Sequence, residues 1–490
     1  MSCAYGPMSL MASKWSQLAA ALIGSRSLWQ PAGYNALAPF HCDDLARTSS
    51  SDGATPTFGG TVRYPLNKNS TLIGQCIWKC TISAGTLSAG RRAAYVKNLG
   101  DQMIQEVTLR YGGNILQCIP NNVWAPLWRR LCKHDAHIEG TNAMVLGGLP
   151  AGNAAAEGVR EAAVTSGLDI YVPLEELFFV HARDEHWMPE AHALEMEVIL
   201  QLAPLGRLVY SDNGADPFSS RPTLSADELR YREITLAAAE KETRLNVYMQ
   251  EQGHVIKFLD IERQENVSFV GTGTGNNRTL TIPLDNFRMD IAEIAFLMRD
   301  DANTAAGVTP AVSADWRGDA MESSTAASII TGAAVNCVNP IVSFDLRANG
   351  RIIFQSQEEF YNRAVIRTRY HPESQIADAF YTIPFAEFPE DYKNATYVHF
   401  FFVFFIKNIN SLLFFYSGHQ SAQVLGKLEL RVVVADWAST ITRRFDVFAH
   451  SHNFIQVSIQ IFFFVFYVAY HLFTVTRRRS HKSIALKLKI

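Results

Sequence analysis

Between Thr71 and Ile82 the apolar residues Leu72, Cys76, Trp78, Cys80 and Ile82 alternate with Thr71, Gln75, Lys79 and Thr81. A period of two predicts a strand with one face buried. Cys76 and Cys80 share that face and read as small buried apolar residues. Val107, Leu109 and Tyr111 alternate with Glu106, Thr108 and Arg110, and Gly112-Gly113-Asn114 follows with turn chemistry, which predicts a hairpin. Further short strands are expected at Leu168 to Val172, Ala193 to Leu202, Leu245 to Met249, Val267 to Val270, Thr279 to Pro283, Ile341 to Leu346, Arg351 to Phe354 and Leu428 to Val434. Gly, Asn, Asp or Pro separates most of them. Helical patterns are brief: Val96, Leu99 and Met103 on one face, and Ala237 to Arg244.

Many short strands without βαβ spacing predict an all-β chain of antiparallel sandwiches or barrels rather than an α/β enzyme fold. At 490 residues, two domains are expected. Residues 1–55 read as an irregular arm, 56–218 as a first domain, the polar stretch 219–228 as a linker and 229–456 as a second domain of similar size. No residue-level repeat relates the halves.

With 48% hydrophobic and 19% charged residues the chain is globular, and a formal charge of -3 supplies no overall field for phosphate backbones, so direct genome packaging is excluded. Cys3, Cys42, Cys76, Cys80, Cys118, Cys132 and Cys337 are odd in number and contain no CxxC pair. That argues against a disulfide scaffold and for a reducing compartment. The apolar run Leu18 to Ile23 after Lys14 is too short for a secretory leader.

Candidate chemistry is sparse. His181, Asp184, Glu185, His186 and His192 form the densest set of ligand-type side chains, yet their spacing fits neither a zincin helix nor a calcium loop. Lys133-His134-Asp135-Ala136-His137 lacks a third ligand. Both read as solvated loops. Gly271-Thr272-Gly273-Thr274-Gly275-Asn276-Asn277 suggests a phosphate cradle but lacks the Lys and helix of a P-loop, and is expected to be a flexible hairpin loop. No nucleophile elbow or kinase signature occurs. The expectation is no catalytic residue, no metal ligand and no cofactor. Acceptor motifs at Asn69, Asn266, Asn277 and Asn394 read as chance matches in a chain that is not secreted.

Several segments, in order, carry a resemblance. They are Phe58-Gly59-Gly60-Thr61-Val62-Arg63-Tyr64-Pro65-Leu66, the strand through Trp78, Tyr95 to Gly100, Ile104 to Gly113, Asp169-Ile170-Tyr171-Val172-Pro173-Leu174 and Ala193 to Val198. In the second half they are Leu245 to Gln252, Ile282 to Phe287, Tyr361-Asn362-Arg363, Tyr370-His371-Pro372, Phe380 to Phe385 and Phe445 to Phe448. Together they resemble the major capsid proteins of nucleocytoplasmic large DNA viruses over most of residues 56 to 456. The resemblance implies two consecutive jelly rolls, a homotrimeric pseudo-hexameric capsomer, capsomer–capsomer contacts in an icosahedral shell, room for minor capsid partners, and no enzymatic activity. It also implies a place in the virion capsid, with assembly in host cytoplasm, from a viral gene or an integrated copy. Glu175-Glu176 and Glu190 depart from the family's apolar pattern, and since a buried unpaired carboxylate costs several kcal/mol, either they are exposed or the copy has drifted, which bears on assembly more than on the fold.

Two Phe-rich runs interrupt the strand pattern. The first, 398–416, is cut by Lys407, Asn408 and Asn410, short of the roughly 20 apolar residues of a membrane span. The second, within 457–490, precedes Arg477-Arg478-Arg479 and suits either membrane contact or an untranslated origin. Phe, Tyr, Leu and Ile codons are T-rich like intron sequence, and Val457-Ser458 can be encoded by a splice-donor hexamer. Retained introns are the favoured reading, because joining Tyr397 to Ser417 restores the family-like pattern. A lectin-like carbohydrate-binding sandwich, a membrane-anchored protein and a jelly-roll hydrolase are the alternatives to a shell protein.

Overall fold

The computed structural model describes residues 40–48, 56–67, 72–96, 99–132, 162–174, 195–211, 216–236, 254–288, 290–300, 325–327, 334–336, 341–356, 361–371, 380–386, 420–421, 425–437 and 442–457, with 242, 389 and 439. Leu245 to Met249, the two Phe-rich runs, the tail beyond Val457, the two His-containing loops and Glu175, Glu176 and Glu190 lie outside these residues.

Eight strands build the first half: β1 (Phe40–Thr48), β2 (Thr61–Pro65), β3 (Leu72–Ile82), β4 (Ile104–Tyr111), β5 (Asn114–Ile119), β6 (Leu168–Pro173), β7 (Met196–Leu202) and β8 (Leu224–Leu236). Eight more build the second: β9 (His254–Val270), β10 (Asn277–Pro283), β11 (Glu293–Asp300), β12 (Ile341–Ala348), β13 (Arg351–Gln355), β14 (Phe380–Pro384), β15 (Leu428–Ala435) and β16 (Thr442–Val457). The sheets run β1-β8-β3-β6 and β2-β7-β4-β5 in the first half, β9-β16-β11-β14 and β10-β15-β12-β13 in the second. Every pairing among them is antiparallel. Strands one, eight, three and six in one sheet, two, seven, four and five in the other, is jelly-roll connectivity, and the chain carries it twice.

Alternation produced the first core. Leu72, Cys76, Trp78, Cys80 and Ile82 are buried, whereas Gln75 is exposed. Gln75 is the extra residue of a bulge, since Tyr231 pairs with Cys76 and Arg232 with Gly74, and its φ is 24°. Trp78 Nε1 donates to Tyr64 Oη at 2.8 Å and Tyr64 Oη donates to Asp227 at 2.9 Å, so one polar chain ties the two sheets together. Burial, and then the Asp227 charge, push the Cys80 thiol up to about 12; burial alone raises Cys76. Both remain thiols, packed as hydrophobes. The predicted hairpin is β4–β5, closed by Gly112 and Gly113 at φ 55° and 89°.

The two halves repeat in register, which the linear sequence hid. Pro65 pairs with Glu197 and Pro283 with Glu429. Arg110 pairs with Glu197 and Arg347 with Glu429. Pro173 pairs with Ile77 and Pro384 with Glu293. The β12–β13 hairpin turns on Asn349 and Gly350 at φ 50° and 80°, the counterpart of Gly112-Gly113. Positive φ at both positions is what a two-residue hairpin loop requires. So few shared residues survive because a register needs only its turns and strand-ending prolines; the alternating core tolerates many apolar choices.

Four expectations change. The arm contains β1, which pairs with β8 from Phe40 to Thr48; its Phe-His-Cys-Asp-Asp-Leu-Ala-Arg-Thr sequence lacks the alternation that would reveal an edge strand. The polar stretch 219–228 is not a free linker. Phe218–Ser220 pairs with Thr86–Leu87, and Leu224 to Glu228 open β8, where Leu224 is buried and Ser225 is exposed. Val267 to Val270 is only the end of the 17-residue β9. The Gly271 to Asn277 segment joins β9 to β10, strands of different sheets, and therefore closes no hairpin.

Candidate functional site: the seam between the jelly rolls

Two helices of the first jelly roll, α1 (Leu99–Met103) and α2 (Asn121–Cys132), form the seam. The Val96, Leu99 and Met103 face is buried as its spacing predicts. α2 was not legible, because Pro126 sits inside it. A mid-helix proline removes one N–H and leaves the carbonyl four residues earlier without its donor. That carbonyl is Asn122, and Gln102 Nε2 of α1 donates to it at 2.7 Å. Asp101 and Arg129 complete the clamp as a buried bidentate ion pair, with Arg129 Nη2 donating at 2.9 Å and Nη1 closer still.

Held this way, α2 presents Trp124 and Trp128 to the second jelly roll. Trp124 lies 5.6 Å from Phe448 and 5.5 Å from His450, and Trp128 lies 5.1 Å from His450 edge-on. Beside it, Gln117 Nε2 of β5 donates to the Leu259 carbonyl of β9 at 2.6 Å. Ala295, Leu297, Phe380 and Phe448 belong to the core of the first jelly roll, while Ile294, Phe296, Tyr381 and Val447 fill that of the second. Both faces of β11 are therefore covered, which is why Glu293-Ile294-Ala295-Phe296-Leu297-Met298 reads as a nearly continuous apolar run rather than an alternation.

A polar cluster lies under the tryptophans. His371 Nε2 is 2.7 Å from Glu293 Oε1, His450 Nδ1 is 3.9 Å from Glu293 Oε2, and all three side chains are fully buried. Burial pushes the Glu293 carboxyl up, but His371, with smaller help from His450 and Thr382, holds it below the usual carboxylate range. Burial drives the His450 imidazole down to about 4 against the pull of Glu293. Arg367 stacks over Phe380 at 3.8 Å, and Arg263 donates to Asp446 at 2.7 Å. The Glu293, His371 and His450 side chains are thus fully enclosed where the two β-sandwiches meet. Sequence reasoning singled out His371 only as part of a resemblance and missed Glu293 and His450, which are 157 residues apart and meet only by pairing of β11 with β16.

The Gly271 to Asn277 loop does cradle an anion, supplied by the chain itself. Thr272 N and Thr274 N donate to the Asp436 carboxylate at 3.0 and 2.8 Å, joined by both threonine hydroxyls. The Thr272 contacts, and then those of Thr274, hold Asp436 far below the usual carboxylate range. The loop's donors are thus engaged and the segment is pinned. Among the described residues no group of three His, Cys, Asp or Glu side chains is arranged to hold a metal, and no helix is long and apolar enough to cross a membrane.

Residues 42–208 match the family model described as major capsid protein N-terminus. Solved capsid structures share the fold across both jelly rolls. The Faustovirus major capsid protein superposes with a TM-score of 0.61 at 10% identity, covering 88% of this chain and 93% of that one. PBCV-1 VP54, fitted into a reconstruction of the virophage Sputnik, gives 0.59 at 15% identity over 88% and 97%. The PBCV-1 virus capsid model gives 0.57 at 14% over 88% and 97%. No curated protein matches. The chain thus has the double jelly-roll fold.

Proposed function

We propose that this chain is a structural major capsid protein, a shell subunit that associates with copies of itself into trimeric, pseudo-hexameric capsomers of an icosahedral virion. The observation that carries the reading is the capsid-family first jelly roll joined in register to a second jelly roll of identical connectivity. Two rigid sandwiches locked at a dry seam make a building block whose function lies in its outer surfaces. The boundary between them falls between Leu236, the end of β8, and His254, the start of β9. Minor capsid proteins are further partners in this reading, the cytoplasm of an infected host is the place of assembly, and the chain has no catalytic or cofactor chemistry of its own.

Purification of the full chain followed by light-scattering mass measurement tests the proposal. A discrete trimer that packs into hexagonal arrays is the expected result. A folded chain that stays a monomer at every concentration overturns it.

A further inference from the structure

The sequence contains Asn-Gly twice, at Asn213-Gly214 and at Asn349-Gly350. In an unconstrained chain this pair is chemically labile, because glycine leaves its own nitrogen unshielded and free to attack the side-chain carbon of the asparagine before it. Asn349 and Gly350 form the two-residue turn of β12–β13, at φ 50° and 80°. The turn has no need of a carboxamide. Its counterpart in the first jelly roll is Gly112-Gly113, and the backbone tether is the same in both: Gly112 N donates to the Glu195 carbonyl and Asn349 N to the Lys427 carbonyl, each at 2.9 Å.

What the asparagine adds is a grip on the chain entering β15. Its Nδ2 donates to the Leu425 carbonyl at 3.0 Å, and its Oδ1 accepts from Lys427 N at 3.1 Å. Between those two partners stands Gly426 at φ 75°, where a Cβ would lie 2.6 Å from Asn349 Nδ2 and 2.7 Å from Oδ1. Glycine is therefore required at 426 both by its dihedral and by the carboxamide lying against it. Cyclisation requires the carboxamide to turn its carbon onto the Gly350 nitrogen, and that rotation breaks both side-chain bonds.

We propose that Asn349 is a deamidation site whose reaction is gated by release of this grip. Once segment 425–427 lets go, the Gly350 nitrogen bonds to Asn349 Cγ, the Cγ–Nδ2 bond breaks, and ammonia leaves carrying the Gly350 proton. Water then opens the cyclic imide to aspartate or isoaspartate, with no change of oxidation state. Either product loses the Nδ2 donor and sets a carboxylate oxygen against the Leu425 carbonyl, and isoaspartate also lengthens the main chain of a two-residue turn by one carbon. The site thus records openings at this end of the second jelly roll as permanent negative charge. It stands independently of the shell-subunit reading.

Peptide mass mapping of the full chain, aged in mildly alkaline buffer and in denaturing guanidinium chloride, tests the proposal. In denaturant Asn349 is expected to convert at a rate comparable to Asn213, which serves as the reference for an Asn-Gly pair. In buffer Asn349 is expected to convert at least about tenfold more slowly than in denaturant, the factor that a few exposed hydrogen bonds supply. Hydrogen exchange of the Lys427 amide, which donates to the same carboxamide, should be protected to a similar degree. Gly426→Ala, with circular dichroism unchanged, is expected to bring the rate in buffer back toward that in denaturant; if this variant does not fold, the wild-type rates and the Lys427 exchange decide alone. Equal rates in buffer and denaturant overturn the gate, as does a slow Asn349 beside an unprotected Lys427 amide or a folded Gly426→Ala chain that reacts no faster than the wild type. An Asn349 that stays unconverted in denaturant while Asn213 reacts overturns the site itself.

Discussion

The indole of Trp124 lies 5.5 Å from the imidazole of His450, although the two side chains belong to different jelly rolls. The first jelly roll therefore completes the second, and the two sandwiches are expected to unfold as one unit. Trp124→Ala removes one of the two indoles of this seam. Truncating a buried tryptophan costs about 3–5 kcal/mol, and here the loss falls on the contact that couples the halves. The expected outcome is a denaturant transition, single in the wild type, that shifts to lower urea and separates into two steps when tryptophan fluorescence is compared with far-UV circular dichroism.

Acid should loosen the same seam. His450 titrates near the ordinary imidazole value of 6.5 when unfolded but only at about 4 when folded, so the unfolded chain takes up the proton first. Its contribution is complete above pH 6.5 and is lost as the pH falls toward 4, amounting to about 3 kcal/mol over that window. Glu293 acts in the same sense at lower pH, because its folded carboxyl is held below its unfolded value of 4.5. Urea midpoints measured between pH 7 and pH 4 should fall steeply in the wild type, and His450→Gln, though less stable at pH 7, should show a flatter profile. A wild-type midpoint independent of pH in this window contradicts the argument. Glu293 and His371 are the titratable groups facing His450 that must be followed alongside.

Gln102 replaces the donor that Pro126 lacks. Gln102→Leu leaves the partly buried Asn122 carbonyl without this partner, a loss of about 1 kcal/mol. Pro126→Ala in the same chain supplies a backbone N–H four residues along the helix, so the double variant should recover most of the loss. Chemical denaturation of the two single variants and the double variant gives the coupling directly. Strict additivity would show that the side chain does not stand in for the proline's missing N–H.

Asp436→Ala should release the Gly271 to Asn277 loop without unfolding the sandwich, since the carboxylate binds only at the solvent-facing end of β15. Amide exchange at Thr272 and Thr274 is expected to accelerate at least about tenfold, while core amides of β15 and β11 stay protected. Exchange rates unchanged at both threonines would show that the loop is held by something other than Asp436.

Deleting residues 398–416 joins Tyr397 to Ser417 within the connection from β14 to β15, between strands whose ends are defined by Pro384 and Leu428. Shortening a connection changes closure entropy only slowly with length, so the melting temperature should stay within a few degrees while soluble yield rises. A collapse of the transition would show that the Phe-rich run is an integral part of the second jelly roll.

Local alternation was enough to reveal the strands Leu72–Ile82, Ile104–Tyr111, Asn277–Pro283, Ile341–Ala348 and Leu428–Ala435, because each has one face in a core and one toward solvent, a difference that the residues themselves record. Glycines and prolines marked their ends for an equally local reason, since positive φ and a missing N–H are properties of single residues. The all-β class and the jelly-roll expectation followed from these signals together with the family resemblance. What the linear pattern could not carry is whatever depends on a partner distant in sequence. β1 is a strand because β8 offers it an edge. α2 tolerates Pro126 because Gln102 lies beside it, and β11 loses its alternation because Trp124 and its neighbours cover the face that would otherwise meet water. The buried Glu293, His371 and His450 cluster and the register that equates Pro173 with Pro384 exist only once strands with partners 83 to 203 residues apart are paired. Periodicity reports on which side of an element is wet. Only the tertiary structure decides what lies against the dry one.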